Sequence, residues 1–212
     1  MKLVDLTLRD FVDQVDSSAP APGGGSVASV ASTLGVALSR MVGHLTTGKK
    51  KFKALDEEIK MDYQGILDHF IVVKETLLKL VDEDTEAFNQ VMAAFKLPKE
   101  TEEEKRSRAK AIEDATYIAI DVPYRVSSLS LQALGDLEYL LDYCNKNAVS
   151  DIGVAALMLY SGLEGALLNV LINVGSISNE EIKARYIKEV TQFSMEGNQL
   201  KDKVLKKVKG LL

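Results

Sequence analysis

Apolar residues recur every three to four positions along most of the chain, a period that predicts amphipathic helices. Alternation of apolar and polar residues, which would predict strands, never lasts more than a few positions. Turn formers and capping residues divide the pattern into six or seven helices joined by short loops. The predicted helices cover positions 7–16, 26–47, 55–95, 101–121, 123–143, 150–174 and 179–212, the third either continuous or broken once.

Capping and breaking residues set the predicted helix boundaries. Thr7 and Thr101 each precede an acid by three positions, the arrangement of a capping box. Ser26 is predicted to cap the second helix. Pro123 is placed in the first turn of a new helix, because proline lacks the N–H that a helix interior uses. We therefore expect an all-α multi-helix bundle that forms a single domain over all 212 residues.

Composition supports a folded helical protein and excludes several classes. The chain is 46% hydrophobic and 27% charged, the balance of a globular protein. Its net charge of −5, with scattered basic residues, argues against a nucleic-acid partner. The single cysteine, Cys144, allows no disulfide or zinc quartet within one chain. Because Asp5 comes too early for a secretory signal, we expect a cytoplasmic protein.

Residues 26–39 and 149–174 are apolar enough to raise the question of membrane insertion. The first segment stops at Arg40, short of the roughly 20 residues that a span needs. The second carries Asp151, Glu164 and two asparagines, which are costly in lipid. We predict that both are core helices and that the protein has no membrane partner.

The segment from Pro20 to Ser26 is the first candidate site. Gly23, Gly24 and Gly25 precede a helix, where free N–H groups and the helix N-terminus favour a phosphate or a carboxylate. The segment lacks the Lys-Ser/Thr ending of a P-loop, which argues against nucleotide hydrolysis. A flexible connector that ends in a helix cap explains the same composition equally well.

Polar stripes follow the two most apolar predicted helices. Each stripe either lines a pocket or interface, or is satisfied by structural hydrogen bonds, because unpaired buried polar groups cost about 1–3 kcal/mol. The residues alone leave both explanations open, and a lone histidine is more often structural than catalytic. At about 100° per residue, the stripes are Ser26, Thr33, Ala37, Arg40 and His44, and Asp151, Ala155, Gly162, Asn169 and Asn173.

Asp84 lies within an acidic run, residues 82–86, that would ordinarily be a solvated helix face. It stands one turn before Phe88 and is therefore expected to border the core. Desolvation raises the pKa of such a carboxyl, which makes it usable as a general acid at neutral pH. The two histidines, His44 and His69, suggest no ligand set, so no metal is expected.

Taken in order, these segments resemble the formiminotetrahydrofolate cyclodeaminase / methenyltetrahydrofolate cyclohydrolase family. The resemblance covers nearly the whole chain. His44 departs from it, because asparagine is more usual there, which argues against His44 as a proton carrier. The matching segments are residues 20–26, 45–51, 84–88, 96–99, Arg108 with 111–112, 122–123, 145–151 and 169–173.

The resemblance implies a homodimer that binds a tetrahydrofolate derivative as substrate, without metal. The expected reaction converts 5-formiminotetrahydrofolate to 5,10-methenyltetrahydrofolate and ammonia, a step of histidine degradation. Methenyltetrahydrofolate cyclohydrolase activity is the alternative within the family, and a non-catalytic folate-binding or scaffold bundle is the alternative outside it. Because the chain begins at the cyclodeaminase module, we expect any formimino transfer to fall to a separate formiminotransferase.

Asp84 and Asp151 are the predicted catalytic carboxylates, with the roles of acid and base left open. Both are expected to converge on the glycine segment, in a dimer whose sites lie near the interface. The predicted substrate-binding residues offer hydrogen bonds or positive charge to a pterin or an anionic glutamate tail, and Arg108 a bidentate carboxylate contact. They are Gly23, Gly24, Gly25, Ser26, Lys49, Lys50, Lys96, Lys99, Arg108, Asn147, Ser150, Asn169 and Asn173.

Overall fold

Seven α-helices make up most of residues 2–212, the part of the chain that the computed structural model describes, and no strand occurs in that range. The predicted all-α class and the count of six or seven helices are confirmed. Short 3₁₀ turns precede α1 and α6. The helices are α1 Leu8–Val15, α2 Gly24–Thr47, α3 Lys50–Lys53, α4 Glu57–Phe95, α5 Glu102–Tyr143, α6 Val149–Val174 and α7 Glu180–Leu211.

The centre of the bundle is an antiparallel pair, α2 and α6, with α4, α5 and α7 packed around it. Gly162 permits the close approach of the central pair, because a Cβ there would collide with Ser32 Oγ and lie 2.7 Å from the Ala28 carbonyl oxygen. Both helices have the length and hydropathy of a membrane span. In this fold they instead bury much of their apolar surface against neighbouring helices.

Most of the polar stripe on α2 is satisfied inside the bundle. Thr33 Oγ1 donates to the Ser29 carbonyl at 2.8 Å. Arg40 Nε donates to the Leu67 carbonyl at 3.2 Å. His44 is exposed. Beyond Ser26, the stripe therefore serves packing rather than a cavity.

The start of α2 differs from the prediction. The helix begins at Gly24 with Gly23 as its N-cap, so Ser26 lies inside the first turn and does not cap it. Ser26 Oγ stands 2.9 Å from the Val81 carbonyl oxygen and 3.0 Å from Asp84 Oδ2. Because these partners on α4 engage the hydroxyl, it is not available as a helix cap.

Helix α5 continues through Pro123, so the predicted break at this proline is wrong. Proline has no N–H to donate to the carbonyl four residues earlier, that of Ala119. Asn173 Nδ2 donates to this carbonyl at 2.9 Å. An amide of α6 thus replaces the missing helix bond, which is why α5 tolerates the proline.

The bundle has two ends, because α2 and α6 each run along its length. Gly24 lies close to the Asn169 side chain near the end of α6, and Asn145, just before α6, donates its N–H to Thr46 Oγ1 at 2.9 Å. At 1.5 Å per residue, α2 is about 36 Å long. We call the start of α2 with the end of α6 the glycine end, and the end of α2 with α3 and the start of α6 the lysine end.

Candidate functional site

A cavity of about 390 Å³ lies at the glycine end, where α2 begins and α6 ends, against the second half of α4. Its volume is within the range of small-molecule sites in proteins. The structure thus brings together four of the features singled out in the sequence: the glycine turn, Asp84, Asn169 and Asn173. The lining residues of this glycine-end cavity are Pro20, Ala21, Gly23, Gly24, Gly25, Asp84, Phe88, Val91, Met92, Phe95, Ala119, Asn169, Ile172 and Asn173.

Asp84 is fixed by the first turn of α2. Its Oδ2 accepts the Ser26 backbone N–H at 2.8 Å and is also within reach of the Ser26 hydroxyl. Burial raises the pKa of Asp84 above its ordinary value, although the bonds from Ser26 act in the opposite direction. Oδ1 occupies the space where a Cβ of residue 25 would be, so Gly25 is what leaves room for the carboxylate.

Asn169 and Asn173 stand one turn apart on α6 and have their amide nitrogens engaged within the protein. Asn169 Nδ2 donates to the Gly165 carbonyl at 2.8 Å. Asn173 Nδ2 donates to the Ala119 carbonyl and, at 3.0 Å, to the Asn169 carbonyl. The amide oxygens are left as hydrogen-bond acceptors in the cavity lining.

Phe88, Val91, Met92 and Phe95 form the apolar wall of the glycine-end cavity. From the sequence, Phe88 was expected only as a core neighbour, and none of the four was predicted to line a site. Their helical spacing after Asp84 was the available signal. Because the same spacing is typical of ordinary core packing, it does not by itself indicate a ligand.

Three predicted basic residues lie beside this cavity but outside its lining. Arg108 donates from Nε and Nη2 to the Phe95 carbonyl at 3.2 and 3.1 Å, and its guanidinium carbon lies 5.6 Å from the centre of the Phe95 ring. Lys96 and Lys99 are exposed just after α4. Arg108 therefore positions a wall residue, and its predicted contact with a substrate carboxylate stays a prediction.

The other predicted site residues lie at the lysine end. Lys50, Asn147 and Ser150 are exposed there, and Lys49 lines a second cavity of about 360 Å³. This lysine-end cavity is lined by Thr46, Lys49, Lys51, Phe52, Leu55, Asp142, Tyr143, Cys144, Asn145 and Lys146.

Asp151 lies at the lysine end, in the first turn of α6. At 1.5 Å per residue it is about 27 Å from Asn169 along the helix. The expected convergence of Asp84 and Asp151 therefore does not occur within one chain, because the two acids stand at opposite ends of the bundle. The catalytic role of each stays a prediction.

Charge is distributed unevenly between the two ends. No lysine or arginine lines the glycine-end cavity. At the lysine end, Lys49, Lys50, Lys51 and Lys146 form no ion pair with any residue of the range 2–212, and neither does Asp151. Over the same range, no group of three or more histidine, cysteine or acidic side chains is arranged to hold a metal ion.

These features define an all-helical protein with a cavity of small-molecule size that is lined by one partly desolvated carboxylate. The chain matches the formiminotransferase-cyclodeaminase family model over residues 7–192. It belongs to that family, as the sequence resemblance indicated.

Named relatives fall into two enzyme types. The chain is 36% identical to a methenyltetrahydrofolate cyclohydrolase of Methylorubrum extorquens over 203 residues, 96% of each protein. It is 37% identical to the formimidoyltransferase-cyclodeaminase of Mus musculus over 183 residues, 86% of this chain but 33% of the mouse protein. A crystal structure of formiminotetrahydrofolate cyclodeaminase from Thermotoga maritima superposes with a TM-score of 0.78 at 30% identity, covering 98% of this chain and 96% of that one.

Proposed function

We propose that the chain converts 5-formiminotetrahydrofolate to 5,10-methenyltetrahydrofolate and ammonia. The observation that carries the proposal is the placement of Asp84, a carboxylate of raised pKa in a cavity whose other side chains are uncharged. Family membership and the Thermotoga maritima relative support the choice of substrate.

The proposed reaction needs a proton to move from one nitrogen to another. N10 of the folate attacks the formimino carbon and loses its proton, and the amino group of the tetrahedral intermediate gains a proton before it leaves as ammonia. Because its pKa is raised, Asp84 is suited to both transfers, taking the proton from N10 and passing it to the leaving nitrogen. Once ionised, Asp84 also stabilises the delocalised methenyl cation.

The remaining lining suits a reduced pterin. The N–H groups of Gly24 and Gly25, at the start of α2, offer donors to a ring carbonyl. The amide oxygens of Asn169 and Asn173 offer acceptors to ring N–H groups. Phe88 and Phe95 provide apolar surface against the ring and keep water from the cation.

Methenyltetrahydrofolate cyclohydrolase activity is the second candidate, supported by the Methylorubrum extorquens relative, which matches the chain over almost its full length. In that reaction a water molecule adds to the methenyl carbon, and Asp84 takes the proton that the water releases. The same carboxylate and the same cation serve both reactions.

One paired assay tests both candidates. The purified protein is given 5-formiminotetrahydrofolate, with ammonia release and methenyl absorbance recorded, and then 5,10-methenyltetrahydrofolate, with the decay of that absorbance recorded. We expect the first turnover to be faster. The ratio reverses if cyclohydrolase activity dominates, and absence of both turnovers in a folded sample refutes the proposal.

Two further expectations accompany the proposal. The chemistry consists of proton transfer and needs no metal, so turnover is expected to survive a strong chelator. We also propose that a formiminotransferase supplies the substrate, because the printed name of the mouse relative joins that activity to the cyclodeaminase. Coupled turnover with an added transferase would test this supply.

A further inference from the structure

The lysine-end cavity takes no part in the proposed reaction, because it stands at the opposite end of the bundle from Asp84. It lies between the last turn of α2, the short helix α3 and the end of α5, and measures about 360 Å³. In other proteins a cavity of about 150 Å³ holds a benzene molecule. The lysine-end cavity therefore has room for an aromatic ring with substituents.

The rim of this cavity is positively charged. Lys49, Lys51 and Lys146 belong to its lining and are exposed, and none of them forms an ion pair with a residue of the range 2–212. Asp142, the one carboxylate in the lining, is ion-paired with Lys207 on α7. In a chain of net charge −5, this rim is a local site of attraction for an anion.

The inner wall of the cavity is aromatic and apolar. Phe52, which is only 6% exposed, packs edge-on against Tyr63 with the ring centres 4.9 Å apart. Leu55 and the ring of Tyr143 complete the apolar part of the lining. A bare inorganic anion gains nothing from such a wall, whereas an aromatic ring is desolvated by it. Rim and wall together therefore favour a ligand that is both anionic and aromatic.

Beside this wall lies a polar group that lacks a partner. Within residues 2–212, the Tyr63 hydroxyl is the one buried side-chain polar atom without a hydrogen bond. Thr46 and Cys144, both in the cavity lining, are its polar neighbours. The Thr46 hydroxyl is already engaged, because it donates to the Val42 carbonyl at 2.7 Å and accepts the Asn145 N–H at 2.9 Å.

The protonation state of Tyr63 sets what it can bind. Burial raises the pKa of Tyr63 to about 12, so the hydroxyl keeps its proton at neutral pH and can donate it. Buried donors without an acceptor are rare in folded proteins. An oxygen on a ligand in the cavity would supply the acceptor.

We propose that the lysine-end cavity is a second binding site, separate from the glycine-end cavity, and that its ligand is a small aromatic acid. The carboxylate or phosphate of the ligand lies at the lysine rim and its ring lies against Phe52 and Tyr143. An oxygen substituent across the ring from the acid group accepts the proton of Tyr63. This inference does not depend on the proposed function, because the binding is measured without turnover.

Distance separates this ligand from the folate of the proposed reaction. A folate bound beside Asp84 does not reach the lysine-end cavity of the same chain, because α2, which is about 36 Å long, spans the two ends. We therefore expect the aromatic acid and tetrahydrofolate to bind without competing. A dissociation constant for the acid that rises in proportion to added tetrahydrofolate makes the cavity a folate subsite and overturns the proposal.

Protection of a thiol locates the ligand. Cys144 is the only cysteine of the chain and lines the cavity, so its alkylation by iodoacetamide reports occupancy. Burial raises the pKa of this thiol, and the reaction is therefore followed at pH 9. We expect 4-hydroxybenzoate or phenyl phosphate at 5 mM to slow alkylation at least 5-fold and to raise Tm. Inorganic phosphate and benzyl alcohol, which carry only the charge or only the ring, are the controls and are expected to do neither.

Two results of the protection experiment overturn the proposal. A rise in Tm without protection of Cys144 places the acid elsewhere on the protein. Absence of both effects for every aromatic acid means that the cavity takes no such ligand. Protection by inorganic phosphate equal to that by phenyl phosphate likewise contradicts the aromatic requirement.

A rim variant tests the charge. Lys51→Ala is expected to weaken the binding of phenyl phosphate about 5-fold in calorimetric titration, because an ammonium contact with the anion is lost. Lys206→Ala, at an exposed site on α7, is the matched control and is expected to bind as the wild type does. Raising the salt concentration should weaken wild-type binding as well. If Lys51→Ala does not fold, Lys146→Ala takes its place, and wild-type affinity in the folded variant overturns the proposal.

A comparison of two acids tests the orientation of the ligand. The wild type is expected to bind 4-hydroxybenzoate about 5-fold more tightly than benzoate, because only the former carries an oxygen that Tyr63 can reach. Tyr63→Phe is expected to keep its affinity for benzoate and to lose this preference. Equal binding of the two acids by the wild type, or an unchanged preference in Tyr63→Phe, overturns the role of Tyr63 in the site.

Discussion

The glycine end and the lysine end place different ionisable groups in different environments. At the glycine end, a single carboxylate is partly buried among apolar side chains, and the pKa of Asp84 is raised. At the lysine end, burial raises the pKa of Tyr63 to about 12 and also that of the Cys144 thiol, so these groups stay neutral. The ammonium groups there are exposed.

The difference separates proton chemistry from charge recognition. A group that must exchange protons near neutral pH needs desolvation to move its pKa, and the glycine end provides this. A group that must attract an anion needs only a fixed charge, which an exposed lysine keeps. The environment of the glycine end therefore suits proton exchange, whereas that of the lysine end suits the attraction of an anion.

The largest expected effect is on the carboxylate of the glycine end. Asp84→Asn removes the proton carrier, and turnover of 5-formiminotetrahydrofolate is expected to fall by about 10²- to 10⁴-fold. Glu86→Gln, two positions away and exposed, is the matched control and is expected to keep its rate. Equal rates for the two variants would remove Asp84 from the mechanism.

The next largest effect is expected from filling the space beside the Asp84 carboxylate. In Gly25→Ala the new methyl group collides with Asp84 and displaces it from Ser26, and we expect turnover to drop about 100-fold. Gly65→Ala is the control, because a Cβ there meets nothing within 4 Å, and it is expected to gain stability through its helix propensity. Full activity in Gly25→Ala would mean that the carboxylate position is not critical.

A smaller effect is expected from the lysine end. If Lys49 holds a substrate carboxylate, Lys49→Ala loses a charge-assisted hydrogen bond, and KM is expected to rise about 10-fold with little change in kcat. Lys206→Ala, an exposed site on α7, is the control. Steady-state kinetics on both variants distinguish binding from chemistry, and an unchanged KM contradicts the role of Lys49.

A coupling free energy of about 1 kcal/mol in stability is expected between Asn173 of α6 and Pro123 of α5. Asn173→Leu leaves the Ala119 carbonyl without a partner, whereas Pro123→Ala restores the N–H that can bond it. Urea unfolding of both single variants and the double variant measures the coupling. We expect Asn173→Leu to cost less in the Pro123→Ala background, and strict additivity would contradict the hydrogen-bond explanation.

The smallest expected effect concerns stability and pH. Because the folded state raises the pKa of Asp84, the folded protein binds this proton more tightly than the unfolded chain, and stability falls as pH rises from the unfolded pKa through the folded pKa. Asp84→Asn removes this loss. Melting curves should therefore show a larger Tm gain for Asp84→Asn at pH 7 than at pH 4, and the reverse order would contradict a raised pKa.

Local signals in the sequence determined the helices and most of their ends. Thr7 and Thr101 act as predicted: each side chain accepts the N–H three residues ahead, and Thr101 forms a complete capping box. The hydrophobic period predicted helices because it reflects burial on one face. The acidic run was also interpreted correctly as containing one carboxylate, Asp84, that borders the core.

Tertiary contacts decided what the sequence could not. Pro123 stays within a helix because Asn173 supplies the hydrogen bond that the proline cannot donate. Ser26 does not cap α2, because its hydroxyl is engaged by Asp84. Which predicted residues share a site depended on the antiparallel packing of α2 and α6, which places Asn169 beside Gly24 and leaves Asp151 about 27 Å away along α6. The hydrophobic period and the helix propensity of a sequence show which residues share a face of one helix. Which residues of different helices contact each other depends on long-range packing.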